Sequence, residues 1–356
     1  MKPQVPVKTG TTNGEVYPHG LATAWKSPLQ LGFASAFAIL PVIGNAASCY
    51  QRPTKHKTDA NGFASTEFQE DTLNEQSVVQ HAESVSPLLG LAIRSAAAAG
   101  AVVRDGCQQI NVIEQKKVGD LVSEVDRQAD LVACAALAGS SSLPILSEEL
   151  HSDQEPCDDM WIVDPLDATN AFLMNAGTQY PSVLIALRQN ADTELGVVYF
   201  PITDEWFYAQ RGRGAWCDGK RLVCDSSENL NSVWVEMNQY GNASYETPFF
   251  ADLRVKLRSS AGARMVTSNV PHSGVAMRIA RNTNSLAVAI HDNNPNDAKQ
   301  EAWDIAAPQI VMEEAGGVFL NPAGDRTDPF TTEPIIVSRS AELAKQVIEL
   351  ANKVAV

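Results

Sequence analysis

Trp161-Ile-Val-Asp164-Pro-Leu-Asp167-Ala-Thr169 is the stretch on which the reading of this chain turns. The apolar, β-prone run from Met160 to Val163 predicts a strand that ends at Asp164. Pro165 removes a backbone donor and fixes a turn, so Asp164 and Asp167 can point the same way from one strand end. Asp167 and Thr169 suit the first turn of a following helix, where unpaired N–H groups favour an anion. Hard oxygen ligands with no nearby His or Cys suit Mg²⁺ rather than zinc. Alone, Asp-Pro-Leu-Asp is an ordinary turn, and its meaning comes from its company.

Three further acidic segments keep that company. Lys117-Val-Gly-Asp120-Leu-Val-Ser123-Glu-Val-Asp126 places acids at the start of a predicted helix, and Leu146-Ser-Glu148-Glu149 places them at a strand end. Trp303-Asp304 follows much later. Loops at strand ends are where α/β proteins build sites, because the sheet holds them rigidly while they vary. Each segment also has an ordinary reading. Glu148-Glu149 can be a solvated edge, Asp126 a helix N-terminal acid, Trp303 core, and Asp304 the cap of a following helix.

The whole chain sets limits. Its 356 residues suffice for one large domain or two modest ones. A net charge of −15 argues against nucleic acid as a partner and leaves an anionic substrate in need of local positive charge. Six cysteines are scattered without a CxxC pair, which predicts reduced thiols and no zinc site. Residues 1–85 read as an extension: a disordered start, an apolar run from Leu31 to Gly44, and a polar linker over 49–85. The run is shorter than the ~20 residues of a membrane span and carries Pro41. Three readings compete for it: a targeting segment with a small-residue cleavage site, a marginal anchor, or a short packed helix. Any membrane contact is expected only through 31–44. The compartment stays open, a soluble catalytic domain being cytoplasmic or organellar according to that segment.

From Pro87 the text becomes globular, and residues 86–356 are expected to form one domain. Leu88 to Val103 predicts a buried helix ending near Gly106, and Ser123 to Ala138 a second one. Short strands are predicted over Leu143–Leu146, Met160–Val163, Ser182–Leu187, Leu195–Phe200 and Glu205–Ala209, followed by turns at Gly212, Gly214 and Gly219. The later half alternates pieces over Gly274–Ala280, Leu286–Ile290, Ile305–Ala315 and Ala341–Val354. Mixed α/β layers follow from that interleaving.

The ordered set of segments resembles the inositol monophosphatase family of metal-dependent, lithium-inhibited phosphatases, which are related to fructose-1,6-bisphosphatase. The family patterns D-x-V-T/S-x-x-D, E-E, W-x-x-D-P-L/I-D-G/A-T and W-D-x-A-A all occur here in order. Gly212-Arg-Gly-Ala-Trp-Cys-Asp-Gly219 is similar to the family's G-x-G-A-x-x-N-G turn. The resemblance implies a layered αβαβα sandwich. It implies that Glu148, Asp164 and the Leu166 carbonyl hold one Mg²⁺, and that Asp164, Asp167 and Asp304 hold a second. A weaker third ion would reach Glu148 through water. Asp126 and Thr169 would orient and deprotonate the attacking water, while the Ala168 and Thr169 amides receive phosphate oxygens. Ala168 replaces the commoner Gly, which is harmless if the backbone there is not left-handed. Asp297, Lys299 and Glu301 are candidate substrate contacts, and His291 reads equally well as a solvated loop residue.

The implied function is Mg²⁺-dependent hydrolysis of a small phosphomonoester, an inositol or sugar monophosphate. Val197-Val198-Tyr199-Phe200-Pro201 and the stretch from Tyr180 look closest to that branch. A 3′(2′),5′-bisphosphate nucleotidase is the alternative, with Lys299, Arg264 or Arg281 as cations for a second phosphate. From another class comes a non-catalytic regulatory binding protein, against which the complete acid set speaks. The resemblance also permits a homodimer.

Overall fold

A computed structural model of the chain describes residues 75–107, 112–117, 120–173, 181–224, 229–239, 248–259, 264–268, 270–282, 286–292, 298–331 and 333–353. The apolar run Leu31–Gly44 and the readings attached to it lie outside these residues. In chain order the elements are α1 (Glu75–Val85), α2 (Pro87–Gly106), β1 (Val112–Lys117), β2 (Asp120–Ser123) and α3 (Glu124–Ala138). Next come β3 (Ile145–Ser147), β4 (Met160–Asp167), α4 (Thr169–Leu173), β5 (Ser182–Gln189), β6 (Asp192–Phe200), β7 (Glu205–Gln210), β8 (Gly214–Cys217) and β9 (Lys220–Leu222). The remainder is β10 (Trp234–Gln239), α5 (Pro248–Ser259), β11 (Arg264–Ser268), α6 (His272–Ala280), β12 (Leu286–Asp292), α7 (Ala298–Glu314), β13 (Val318–Leu320), β14 (Ile335–Ser338) and α8 (Ala341–Asn352).

Besides the antiparallel β1–β2 pair, two larger sheets organise them. Strands β3 to β9 form one sheet in chain order, antiparallel except for the parallel β3–β4 edge. The second sheet has the order β11-β10-β12-β14-β13, its first three strands parallel. Strand β4 is buried along its whole length because alternate residues serve two cores. Trp161 and Val163 pack with α1, α2 and α3 on one side. Met160 and Ile162 join α6 and α7 on the other, in a core shared with the second sheet. Helices α5 and α8 cover that sheet's far face through Phe250, Leu253, Leu343 and Val347. The succession is helix, sheet, helix, sheet, helix, as the resemblance implied.

One contact sets the height of α7. Ala186, Gly196, Ala209 and Ala215 are cross-strand partners in a row over β5 to β8, and α7 lies across that row. A Cβ on Gly196 would sit 2.8 Å from the Ala307 carbonyl oxygen and 2.9 Å from its Cα. Small side chains on the sheet, together with Ala306 and Ala307 on the helix, let the two backbones meet. The Gly212–Gly214 turn fastens the same helix at its end: both amides donate to the Glu314 carboxylate, each at 2.8 Å.

Two expectations need revision. The stretch 49–85 is not all linker, since Glu75–Val85 forms α1 with Val78 and Ala82 fully buried. His81 Nδ1 pairs with the Tyr208 hydroxyl at 2.8 Å, and its ring meets Tyr208 and Trp216 edge-on. The expected start at residue 86 therefore cuts through packed structure; polar residues dominate α1 and its apolar stripe is short, so the pattern resembles a linker. The second concerns Ile305–Ala315, because α7 begins at Ala298 and holds Trp303 and Asp304 within its second turn. Asp304 is thus not a helix cap. The described cysteines, Cys107, Cys134, Cys157, Cys217 and Cys224, form no disulfide with one another. Helix α2 is long and apolar enough to cross a membrane by length and composition alone, yet it packs as a core helix against α3 and β6.

Gly196→Val should force α7 off the sheet. Overpacking against backbone should cost about 1–3 kcal/mol, read as a lower urea midpoint. An unchanged midpoint would mean that α7 is not seated by this contact.

Candidate active site

Asp164 and Asp167 share a face because β4 is irregular. Asp164 pairs with Leu184 and Asp167 with Ser182, so β4 uses three residue steps where β5 uses two. In a regular strand, residues three apart point to opposite faces; the extra residue brings them to the same one. Pro165 sits inside this irregularity, where a missing N–H costs the ladder nothing. The strand therefore continues to Asp167 instead of ending at Asp164, and only Thr169 enters the short helix α4. Ile162 and Leu184, which share the face of Asp164, both look toward the α6–α7 layer. From that layer comes Asp304.

Carboxylate oxygens of Asp164, Asp167 and Asp304 lie within 4.8 Å of one another. Asp164 and Asp167 are buried and Asp304 is partly exposed. Burial, then the charges of Glu148, Asp167 and Asp304 and a hydrogen bond with Asp304, hold the Asp164 carboxyl well above the usual carboxylate range. Glu148 is half-buried and belongs to this neighbourhood through that interaction. Burial pushes Asp167 up to about 6, although donors from Ser273, Ser182 and the Ala168 amide oppose the rise. An all-oxygen cluster with crowded negative charge fits a hard divalent cation.

Asp126 and Thr169 meet beside it. Ser123 caps α3 and forms a reciprocal capping box with Asp126. The Ser123 amide donates to Asp126 Oδ2 at 2.9 Å, and its hydroxyl donates to the same oxygen. Thr169 Oγ1 lies 2.7 Å from Asp126 Oδ1 and 3.0 Å from the Leu166 carbonyl oxygen. The Leu166 amide in turn donates to Asp164 Oδ1 at 3.0 Å. The Thr169 hydroxyl, between Asp126 and the Leu166 carbonyl, thus sets Asp126 beside the acidic cluster. Burial raises the Asp126 carboxyl, with its hydroxyl and amide donors acting the other way.

Ala168 has φ 73°, so the backbone there is left-handed and the condition for a harmless Gly replacement is not met. An L-residue in that conformation carries a strain of about 1–2 kcal/mol. Three residues that shape the site escaped the sequence reading. Ser182 and Ser273, both buried, donate to Asp167 Oδ2, the former at 3.2 Å. Asp130, fully buried, binds the segment after β3. Its position four residues beyond Asp126, on one helical face, was a readable signal; nothing comparable marks the serines.

The expected outer contacts fare differently. His291 is not a solvated loop residue: it lies on β12, buried, and stacks on His272 with ring centroids 4.1 Å apart. Arg281 is engaged with Glu205 at 2.5 Å and with Cys217 Sγ at 3.2 Å. Arg264 opens β11, at the opposite end of the parallel strands from Asn238 and Asp292. Asp297 and the side chains of Asp120, Lys299 and Glu301 lie outside the described residues.

Two outcomes follow. Asp164→Asn removes one of the crowded charges, so the metal-free variant should melt a few degrees above the wild type. It should also lose the thermal stabilisation that Mg²⁺ gives the wild type. A variant that melts lower, or still responds fully to Mg²⁺, would remove Asp164 from the site. His291 titrates below its usual value because of burial, then the nearby His272 and Arg278. The unfolded chain, with its His near pH 6.5, therefore takes up a proton that the folded chain refuses. This group's stability is present above about pH 6.5 and is lost as pH falls below it. The difference in melting temperature between wild type and His291→Leu should narrow or reverse toward pH 5; a constant difference would refute the assignment.

Comparisons with known proteins agree with this geometry. The sequence model described as the inositol monophosphatase family matches residues 84–355. "Nus factor SuhB" of Haemophilus influenzae is 30% identical over 279 residues, covering 76% of this chain and 96% of that protein. "Inositol monophosphatase 2" of Solanum lycopersicum is 29% identical over 272 residues, covering 74% and 97%. Among solved structures, the suppressor protein suhB of Bartonella henselae superposes with a TM-score of 0.62 at 23% identity, covering 76% of this chain and all of the other. An IMPase/NADP phosphatase complexed with NADP and Ca²⁺ gives 0.61 at 20% identity, covering 79% and 97%. Sequence match, layer order and clustered acids lead to one statement: this chain belongs to the inositol monophosphatase family.

Proposed function

We propose that the chain is a Mg²⁺-dependent phosphatase acting on a small phosphomonoester, an inositol or sugar monophosphate. The observation that carries this is the convergence of Asp164, Asp167 and Asp304 from distant segments on one space. Glu148, Asp164, Asp167, Asp304 and the Leu166 carbonyl would hold the cations. Bound Mg²⁺ would neutralise phosphate oxygens and make a water acidic enough to attack at neutral pH. The Ala168 and Thr169 amides would receive phosphate oxygens. Thr169 Oγ1 would take the water's proton while its own passes to Asp126 Oδ1, 2.7 Å away. Burial raises the Asp126 carboxyl above its ordinary value, which makes it a better proton acceptor than a solvated aspartate. Phosphoryl transfer needs positioning and charge neutralisation more than covalent help, which these residues would supply through the cations they hold.

A second reading has its own support. Relatives named "Nus factor SuhB" stand beside those named inositol monophosphatase at similar identity, so a binding role without turnover is the competing class. For the bisphosphate nucleotidase alternative, Arg281 would have to leave its pairing with Glu205 to meet a second phosphate.

Phosphate release separates them. With Mg²⁺, inositol 1-phosphate or a sugar phosphate should be hydrolysed faster than adenosine 3′,5′-bisphosphate, and a chelator should stop turnover. Thr169→Ala should slow the reaction about 10²–10⁴-fold, the usual worth of general acid–base help. No release from any of the esters would favour the binding role.

A further inference from the structure

We propose that Asp130 is a positioning residue that sets the cation affinity of the site by holding Glu148 in place. The inference rests on the phosphatase reading, in which Glu148 is a cation ligand. Asp130 lies on the second turn of α3, fully buried, one helical turn beyond Asp126. Its Oδ2 accepts the Ser147 hydroxyl at 2.8 Å, the Glu149 amide at 3.0 Å and the Leu150 amide at 2.8 Å. Its Oδ1 accepts the Cys134 thiol at 2.9 Å. Ser147 Oγ also accepts the His151 amide at 3.2 Å. The chain leaving β3 is therefore wound around one carboxylate supplied by another element.

Glu148 stands in the middle of that winding. Its own amide donates to the Val163 carbonyl at 3.2 Å, which ties it to β4 one residue before Asp164. The next two amides are tied to Asp130. Held on both sides, its backbone is directed past the acidic cluster. Helix α3 packs on its neighbours through Ala129, Ala133 and Leu137, so Asp130 is not there for apolar contact. One rigid helix thus fixes both Asp126 against Thr169 and the segment that carries Glu148. Groups that orient ligands in this way change metal affinity about 10–100-fold when removed.

The test is Mn²⁺ binding by isothermal titration calorimetry on the full chain without substrate, with near-UV circular dichroism as the check on packing. Asp130→Asn should weaken Mn²⁺ about 10-fold or more with an unchanged near-UV spectrum. In a Glu148→Gln background the same change should weaken it no further. Wild-type affinity in Asp130→Asn, or the same loss in both backgrounds, would overturn the proposal, since Asp130 would then not act through Glu148. If Asp130→Asn loses its near-UV signal, Ser147→Ala carries the test, because it keeps the carboxylate and removes one of its donors. A loss of about 3-fold, absent in the Glu148→Gln background, supports the proposal, and no loss overturns it. Wild-type protein that binds no Mn²⁺, or Glu148→Gln that binds as well as wild type, would instead bring down the underlying cation reading and this inference with it.

Discussion

Mutual repulsion among buried carboxylates is the constraint around which this fold is arranged. Asp164, Asp167 and Asp304 would move apart if their backbones were free to do so. Three features prevent it. The β4 irregularity turns Asp164 and Asp167 to one side, the small-residue row seats α7 close to the sheet, and Glu314 fastens the far end of α7 to the Gly212–Gly214 turn. Apolar packing in the core between the two sheets supplies the stability that this arrangement costs. The region is thus less stable than an apolar filling would be, the usual condition of a site shaped for a ligand.

The strain extends to the backbone. Ala168 adopts a conformation that glycine would take freely, and its neighbours hold it there. Phe172 donates its amide to the Ala168 carbonyl at 3.0 Å, while Asp167 on the other side is held by Ser182 and Ser273. Those serines come from different layers, β5 and α6. Asp167 is therefore where the first sheet and the helices between the sheets are joined by polar bonds as well as by packing. A residue forced left-handed between a strand end and a helix start is placed by such surroundings, not by its own preference.

Much of this was legible in the sequence, for identifiable reasons. Helices α2 and α3 carried apolar spacing, α3 with acids at its start, and the strands of the first sheet carried β-prone apolar runs. The order of the acidic segments indicated the family before any geometry was known. What stayed hidden depended on partners distant in sequence. The register shift in β4 exists only against β5, and the burial of His291 only against α6. Helix α1 looked like linker because its apolar stripe is short; Tyr208 and Trp216, far along the chain, supply the surface that His81 packs on. Asp304 looked like a cap because the residues before it read as loop.

Aspartates of one chemistry thus come to three kinds of use, and their partners decide which. Asp130 has both oxygens taken by thiol, hydroxyl and amide donors, so it is equipped to hold the protein's own chain. Asp126 has one oxygen fixed by Ser123 and the other on Thr169, a hydroxyl that can exchange its proton. Asp164 takes the Leu166 amide on one oxygen and otherwise faces carboxyl groups, which offer it little while ionised. Lone pairs saturated by the fold cannot bind an ion, whereas lone pairs turned toward like charge are stabilised by one. Motif matching alone ranks Asp126 and Asp164 above Asp130, and it gives no reason. The donors around each carboxylate supply that reason: those of Asp130 tie it to the segment that carries Glu148.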